Sequence, residues 1–221
     1  MSWVKRLLGM QAPLPARSDS RPSAGPEAPL GLAPGRMLCL NSNLRLLLAD
    51  ASTVIVPDDE KVWAVGTVDL GQSKRLVRFY LDNEDYYLLV VMAGDGAHDI
   101  EELILFGYHS VTTVSSKDEL LRLTGPNSKI GMPVYEMEGI EYLRQWGSED
   151  GQTELTPMDE WVENPETAYW VKHHSMLYAR DIELVNRREF LLFSLEEDEE
   201  GNIALSTSVG VTLQLSDITV L

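Results

Sequence analysis

The sequence predicts a mainly β protein of antiparallel strands, arranged as a sandwich or a partly open barrel, with one or two short helices. An α+β fold is the alternative. From Met37 onward, apolar residues recur mostly at every second position, which is the period of a β-strand. The apolar runs are short, rich in Val, Leu and aromatic residues, and separated by turn-forming residues, as is typical of hairpins.

Residues 1–36 differ from the rest of the chain because they hold six of its 11 prolines. We expect a disordered Pro-rich tail, since this stretch has too few large apolar residues to offset the entropy of folding. Its start is short, basic and amphipathic, and consists of Trp3, Val4, Lys5, Arg6, Leu7 and Leu8. A weak membrane or partner hook is one interpretation, and a frayed terminus is the other. We see neither a secretory signal nor a transmembrane segment.

The remaining residues, 37–221, are predicted to form a β-rich globular body. In its first part we expect strands at 44–49, 52–56, 62–70, 75–81 and 86–93. The last two form a hairpin around the polar turn at 82–85, and the continuous apolar run after that turn indicates a central strand. Residues 100–114 are compatible with a helix or a strand, and the β-branched stretch Val111–Val114 favours the strand.

One helix is clearly signalled after residue 115. Ser116 is a suitable cap, Glu119 is its capping-box partner, and Gly125 followed by Pro126 ends the helix. Further strands are expected at 134–142, 168–179, 189–195 and 203–221. The body divides into one unit or into two sub-units, 37–132 and 133–221. A faint similarity between the hairpins at 79–89 and 177–193 has two explanations, duplication and chance.

The charge of the chain narrows the choice of partners. It has 35 acidic and 18 basic residues, a net charge of −17, which argues against a nucleic-acid partner because phosphate binding depends on Lys and Arg. Residues 1–36 carry five basic and two acidic residues, so the tail is at +3 and the body at −20. We therefore expect protein partners with a basic face, and a weak peripheral membrane contact through residues 1–9.

The richest aromatic and basic stretch of the acidic second half is the first candidate binding site. It comprises Trp161, Tyr169, Trp170, His173, Tyr178 and Arg180. Such residues supply much of the binding energy of protein interfaces, so a recognition surface is one interpretation. A buried core is the other, because aromatic residues at this density commonly pack inside a protein.

A second polar cluster lies at Asp95, His98 and Asp99, within a glycine-rich stretch. It is a weak metal-site candidate, because local residues supply only part of a ligand set, and a surface turn is the alternative. The chain has no phosphate-binding loop, paired-cysteine motif or nucleophile elbow, so we predict no catalytic residue and no cofactor. Its single cysteine, Cys39, cannot form an intrachain disulfide, and we expect a cytoplasmic protein.

Two motifs of the second half carry a family resemblance. His173–Arg180, read as His-His-Ser-Met-Leu-Tyr-Ala-Arg, and Arg188–Leu192, read as Arg-Glu-Phe-Leu-Leu, resemble the YjfK-like family of uncharacterised bacterial proteins. The resemblance implies a role in envelope maintenance alongside a phage-shock-protein-A-like partner. The expected location is cytoplasmic, with peripheral contact at the inner membrane. The resemblance implies no activity or site residue. We therefore expect a non-enzymatic accessory or interaction protein; the alternative is a small-molecule- or metal-binding enzyme with dispersed site residues.

Overall fold

The computed structural model describes residues 28–221, and the expected hook residues Trp3, Val4, Lys5, Arg6, Leu7 and Leu8 lie outside this range. The prediction of a mainly antiparallel β protein with short helices is confirmed, since the described residues form 12 strands and two short α-helices. None of the helices in the described part is long and apolar enough to cross a membrane.

The strands are β1 (Met37–Leu40), β2 (Glu60–Gly71), β3 (Lys74–Leu81), β4 (Tyr86–Met92), β5 (Ile100–Thr113), β6 (Val134–Met137), β7 (Ile140–Arg144), β8 (Thr156–Glu163), β9 (Ala168–Asp181), β10 (Arg188–Glu197), β11 (Ile203–Leu213) and β12 (Ile218–Val220). The helices are α1 (Leu44–Leu48) and α2 (Lys117–Thr124). Short 3-10 turns lie at Pro29–Gly31 and Leu215–Asp217.

Eight of the strands close into an antiparallel barrel. Their order is β2-β3-β4-β5-β11-β10-β9-β8, and β8 pairs back with β2 to complete the ring. The ring consists of two four-stranded meanders, β2–β5 and β8–β11, which meet at the β5–β11 and β2–β8 pairs. We call them the first and the second meander. They come from the two predicted sub-units, 37–132 and 133–221, so both halves of the chain build one barrel.

Both faces of the barrel wall are buried over much of its surface. On β4, Tyr87 and Leu89 point into the barrel, whereas Leu88 and Val90 pack outward, and all four are less than a tenth exposed. This arrangement explains why the strand is a continuous apolar run. Segments outside the ring, namely β1, α1, α2 and the β6–β7 hairpin, cover the outer face with apolar side chains, including Leu38, Leu44, Leu48, Leu120 and Tyr142.

A buried carboxylate fastens the β6–β7 hairpin and the segment that follows α1 to the barrel. The carboxylate of Glu189 on β10 accepts hydrogen bonds from the Ser52 hydroxyl at 2.5 Å, the Thr53 amide at 2.7 Å and the Tyr142 hydroxyl at 2.6 Å. Arg180 on β9 donates its Nε–H to the same carboxylate at 2.9 Å. The prediction of a strand at 52–56 is therefore wrong, because this segment bonds to the Glu189 side chain instead of pairing with a neighbouring strand.

Three further strand predictions need correction. The strand predicted at 203–221 is interrupted by the 3-10 turn at Leu215–Asp217, which separates β11 from β12. Residues 44–49 contain α1, in which Leu44 and Leu48, four positions apart, face the core while Leu46 is 82% exposed. The single strand predicted at 134–142 is the β6–β7 hairpin. Its turn residues Glu138 and Gly139 both adopt positive φ, at 54° and 81°, as a two-residue hairpin turn requires.

The predicted helix is confirmed as α2, with Ser116 as its cap. The Ser116 hydroxyl accepts from the Glu119 amide at 3.2 Å, and the Glu119 carboxylate accepts from the Ser115 amide at 3.0 Å. The described end of the predicted tail, residues 28–36, lies against the barrel. Leu32 is fully buried there, and the Gly35 amide donates to the Val62 carbonyl at 2.8 Å.

Candidate functional site

Four polar side chains meet inside the barrel, close to the β2–β8 pair that joins the two meanders. Arg78 and Tyr80 come from β3, Glu160 from β8 and His173 from β9. They point inward because they alternate along their strands with outward-facing residues such as Phe79. Glu160 is fully buried, His173 is 2% exposed and Arg78 is 4% exposed. We call these four residues the interior cluster.

Glu160 is the centre of the interior cluster. Arg78 donates from Nη1 to Glu160 Oε2 at 2.8 Å, and the Tyr80 hydroxyl donates to the same carboxylate at 3.0 Å. His173 Nε2 lies 2.6 Å from Oε2. Gly66 on β2 makes room for this carboxylate, because a Cβ atom at position 66 would lie 1.8 Å from Glu160 Oε1. Glu160 is thus held by three side chains, and its carboxylate occupies the space that a side chain at position 66 would take.

The ionisation of the cluster follows from burial and from the Arg78 charge. Burial alone would raise the pKa of Glu160, but the adjacent Arg78 guanidinium and the hydrogen bonds from His173 and Tyr80 outweigh it and lower that pKa to about 2. Burial and the Glu160 charge raise the pKa of Tyr80 well above its ordinary value. The cluster therefore contains a buried ion pair and a phenol that stays protonated.

The interior cluster borders a cavity of about 1780 Å³. Arg78 and His173 contribute polar groups to its lining. The inward-facing apolar wall comprises Val68, Leu76, Leu89, Val91, Ile104, Phe106, Met158, Leu177 and Leu192. Mostly apolar walls with a few convergent polar groups are typical of small-molecule sites. Eight-stranded barrels are also wide enough to enclose one small ligand.

The cavity opens where the barrel wall is incomplete. Strands β2 and β8 pair only from Val65 to Val68, opposite Glu160 to Glu163. Beyond these pairs, residues 69–71 of β2 and 156–159 of β8 do not pair with each other, and both runs line the cavity. We call this gap the slot. Asp69, Leu70 and Gly71, which border the slot, are all exposed.

Glu160, His173 and the neighbouring Ser194 follow one another in the order carboxylate, imidazole and hydroxyl, which also occurs in serine hydrolases. Glu160 lies 2.6 Å from His173 Nε2, and His173 Nδ1 lies 3.0 Å from Ser194 Oγ. A catalytic serine must reach the substrate. Ser194 is 3% exposed, its Oγ is 2.9 Å from Ser175 Oγ, and it is not among the described residues that line the cavity. Ser194 is therefore not placed to attack a substrate in the cavity.

The structure separates the aromatic and basic residues that the sequence groups together. His173 belongs to the interior cluster, and Tyr169 lies on the same inward face of β9. Trp161 and Trp170 pair on the opposite face, with ring centroids 5.1 Å apart, and Trp170 also lines the cavity. His173 and Tyr169 thus lie inside the barrel, whereas Trp161 and Trp170 lie on the other face of its wall.

Tyr178 and Arg180 lie farther along β9 and serve the outer core. The Tyr178 hydroxyl accepts from the Gly131 amide at 2.7 Å, and Arg180 pairs with Glu189. The first interaction holds the segment at Gly131 against the barrel, and Arg180 also donates to the Ala51 carbonyl at 3.2 Å. The structure therefore does not bring these two side chains together with His173.

The Asp95, His98 and Asp99 stretch forms the turn between β4 and β5, where all three residues are exposed. The Asp99 carboxylate accepts from the Gly96 amide at 2.9 Å, and Asp95 lies 3.7 Å from Arg75. Within residues 28–221 there is no group of three or more His, Cys, Asp or Glu side chains that could hold a metal ion. Asp99 thus stabilises the turn.

Sequence reasoning missed Arg78, Tyr80 and Glu160. The available signal was the alternation of β3, which places Arg78 on the same face as Leu76. A charged residue on an otherwise apolar face indicates a buried partner or a site. Glu160 gave no such signal, because it lies between the strands predicted at 134–142 and 168–179, in a stretch with no predicted strand.

Comparison with known proteins identifies a family but no activity. No curated protein and no solved structure shows significant similarity to the chain. The sequence profile of the family described as protein of unknown function (DUF2491) matches residues 3–219. This match agrees with the expectation of an uncharacterised family and leaves the YjfK-like name as a prediction. Since the match spans nearly the whole sequence, the chain belongs to the DUF2491 family.

Proposed function

We propose that the barrel binds a mainly apolar small molecule in its interior cavity. The observation that carries the proposal is the cavity itself, with an inward-facing apolar wall and the polar groups of Arg78 and His173 at its border. Burial of apolar ligand surface supplies the affinity, at about 25 cal/mol per Å² removed from water. The few polar groups fix the orientation of the ligand.

The interior cluster is suited to orienting a ligand because it is already fixed. The Arg78 guanidinium is held by Glu160 at 2.8 Å, so it loses little conformational freedom when a ligand binds. The buried Nε–H of Arg78 has no acceptor among the described residues. Because this atom is itself buried, a ligand oxygen could accept from it only after the Arg78 side chain moves.

The test is binding of a neutral, environment-sensitive fluorescent probe, N-phenyl-1-naphthylamine, to the full chain. We expect a saturable rise in probe fluorescence. Leu177→Trp, which adds bulk on the cavity wall, should abolish it, whereas the control Leu143→Trp on the exposed face of β7 should leave it unchanged. Circular dichroism confirms that both variants are folded. Absence of saturable binding, or equal binding by both folded variants, would refute the proposal.

An accessory role in envelope maintenance is a second proposal. It is supported by the family resemblance, by the acidic body and by exposed apolar residues near α1, where Leu46 is 82% and Ile55 is 77% exposed. It includes a protein partner with a basic face, a cytoplasmic location and a membrane contact through residues 1–9. Pull-down and liposome co-sedimentation test it, each with the full chain and with a chain starting at Ala28, which keeps the buried Leu32. Equal recovery of both chains in both assays would refute the hook.

A further inference from the structure

We infer that the ligand is an uncharged aliphatic molecule, such as a long-chain alcohol or ester, whose alkyl chain fills the cavity. The inference rests on the proposed function and names the ligand class of the same site. It follows from three features of the cavity: the pairing of the charged side chains that face it, the outward position of the other charges of its lining, and the aliphatic character of its wall.

The charge at the inner end of the cavity is already neutralised by a partner. Arg78 lies 2.8 Å from Glu160, and the two side chains are 5% and 0% exposed. An anionic ligand group beside Arg78 would have to compete with Glu160 for the guanidinium, and a cationic group would have to displace Arg78 from Glu160. This end of the cavity therefore offers an ionised ligand no opposite charge of its own.

Glu102, the other inward-facing charge of the lining, also has an opposite charge nearby. Glu102 on β5 and Arg188 on β10 both point inward, because they alternate with the outward-facing Leu103 and Glu189. Both line a smaller cavity of about 390 Å³ beside the β9–β10 connection. Burial raises the pKa of Glu102, and the charge of Arg188 opposes this effect. Arg188 also lies 3.3 Å from Asp181, whose side chain is 92% exposed to water.

The remaining charges of the lining point away from the interior. Glu101 lies 3.8 Å from Lys74, and Lys172 lies 3.5 Å from Glu197. An ionised group inside the barrel would lose its hydration without gaining an opposite charge, which disfavours ionised ligands. Four charged residues of the lining alternate along their strands with inward-facing residues and therefore point outward, namely Asp69, Glu101, Asp159 and Lys172.

The composition of the inward-facing apolar wall favours an alkyl chain. Eight of its nine residues are aliphatic, Met158 included, and Phe106 is the aromatic one. The Phe106 ring is already stacked on Tyr87, with ring centroids 5.2 Å apart. Aliphatic side chains make dispersion contacts along an alkyl chain, whereas an aromatic ligand gains most from a ring that is open to stacking. The wall therefore suits a flexible aliphatic ligand.

The experiment is displacement of the neutral fluorescent probe from the full chain by three decyl compounds at neutral pH: decanol, decanoate and decyltrimethylammonium, each below its micellar concentration. The partition of each compound into phosphatidylcholine vesicles is the reference, because a vesicle leaves an ionised group in water at its surface. After correction for this partition, we expect decanol to displace the probe at a concentration about tenfold lower than either ion, because the barrel would remove the ionised group from water.

Arg188→Gln tests the neutralisation of Glu102 directly. Without Arg188, Glu102 lacks its opposite charge, so decyltrimethylammonium should bind about fivefold to tenfold more tightly while decanol binding stays within about twofold. The control is Arg122→Gln on α2, whose side chain is 70% exposed and outside the cavity lining, and which changes the net charge of the protein equally. It should leave the binding of both compounds unchanged, and circular dichroism confirms that both variants are folded.

The results separate this inference from the proposed function. If either ion displaces the probe as well as decanol does after the vesicle correction, or if Arg188→Gln and Arg122→Gln behave alike, the uncharged ligand is overturned while probe binding upholds the cavity as a site. Failure of the neutral probe to bind overturns the proposed function and the inference together. Preference for decanol in the unmodified protein, with tighter binding of the cation in Arg188→Gln alone, supports both.

Discussion

Replacing Glu160 with glutamine should change the pH dependence of stability as well as its size. Glutamine keeps the shape of the side chain and removes its charge, so Arg78 stays buried without an opposite charge. Breaking a buried pair in this way costs about 3–5 kcal/mol of the free energy of unfolding. A folded domain has a free energy of unfolding of about 5–15 kcal/mol in total, so the variant should still fold, with a free energy of unfolding that is low but measurable.

The pH dependence gives a second, independent magnitude. The pKa of Glu160 is about 2 in the folded protein, against an ordinary value of 4.5. At about 1.4 kcal/mol per pKa unit, the ionised carboxylate contributes about 3 kcal/mol to the free energy of unfolding. Because the folded pKa is the lower one, this contribution is complete above pH 4.5 and is lost as the pH falls from 4.5 toward 2.

The assay is urea unfolding of the full chain at a series of pH values from neutral to about pH 3, followed by circular dichroism. Glu160→Gln should lose stability at neutral pH and show a flatter profile below pH 4.5 than the unmodified protein. Arg78→Met combined with Glu160→Met should be more stable than Glu160→Gln, because no buried charge remains. Parallel pH profiles for Glu160→Gln and the unmodified protein would refute this account of the interior cluster.

Three further predictions concern the surroundings of the site. Gly66→Ala should lower the free energy of unfolding, measured in urea, by about 1–3 kcal/mol, because the added Cβ would collide with Glu160. The control Gly151→Ala adds its Cβ into open space and should leave the free energy of unfolding nearly unchanged. Burial lowers the pKa of His174 from 6.5 to about 4, so the free energy of unfolding includes a contribution above pH 6.5 that is lost as the pH falls toward 4. His174→Asn should reduce this loss, as measured by urea unfolding across that pH range. An unchanged dependence of stability on pH in the variant would count against this role of His174. Glu189→Gln should expose the segment around residues 50–56 to limited proteolysis before the rest of the chain is cut, and an unaltered cleavage pattern would contradict its fastening role.

Much of the barrel was predictable because its strands carry local signals. The β3–β4 hairpin follows from an alternating run, a polar turn and an apolar run, and α2 follows from Ser116 and Gly125. The strand prediction for residues 44–49 was wrong because a run of leucines fits a strand as well as a short helix. Only the packing of Leu44 and Leu48 on the barrel decides between the two. Closure of the ring was not predictable, since the β2–β8 pairs join residues nearly a hundred positions apart.

The interior cluster was harder to predict than the fold. His173 was selected for its aromatic neighbours in the sequence, yet its partners Arg78 and Glu160 are distant along the chain. The strand register decides which side chains face inward, and a shift of one residue in β8 would turn Glu160 outward. Local patterns do not fix that register, so the cavity and its polar border emerge only from the assembled barrel.

The division of the interior cluster between the two meanders limits how the sequence can diverge. Arg78 and Glu160 are 82 residues apart, and both are buried as an ion pair. A change at either position alone leaves a charge stranded in the barrel, so the two must change together, along with Gly66, which yields space to the carboxylate. Relatives of this chain should therefore show correlated substitutions that cross from one half of the sequence to the other.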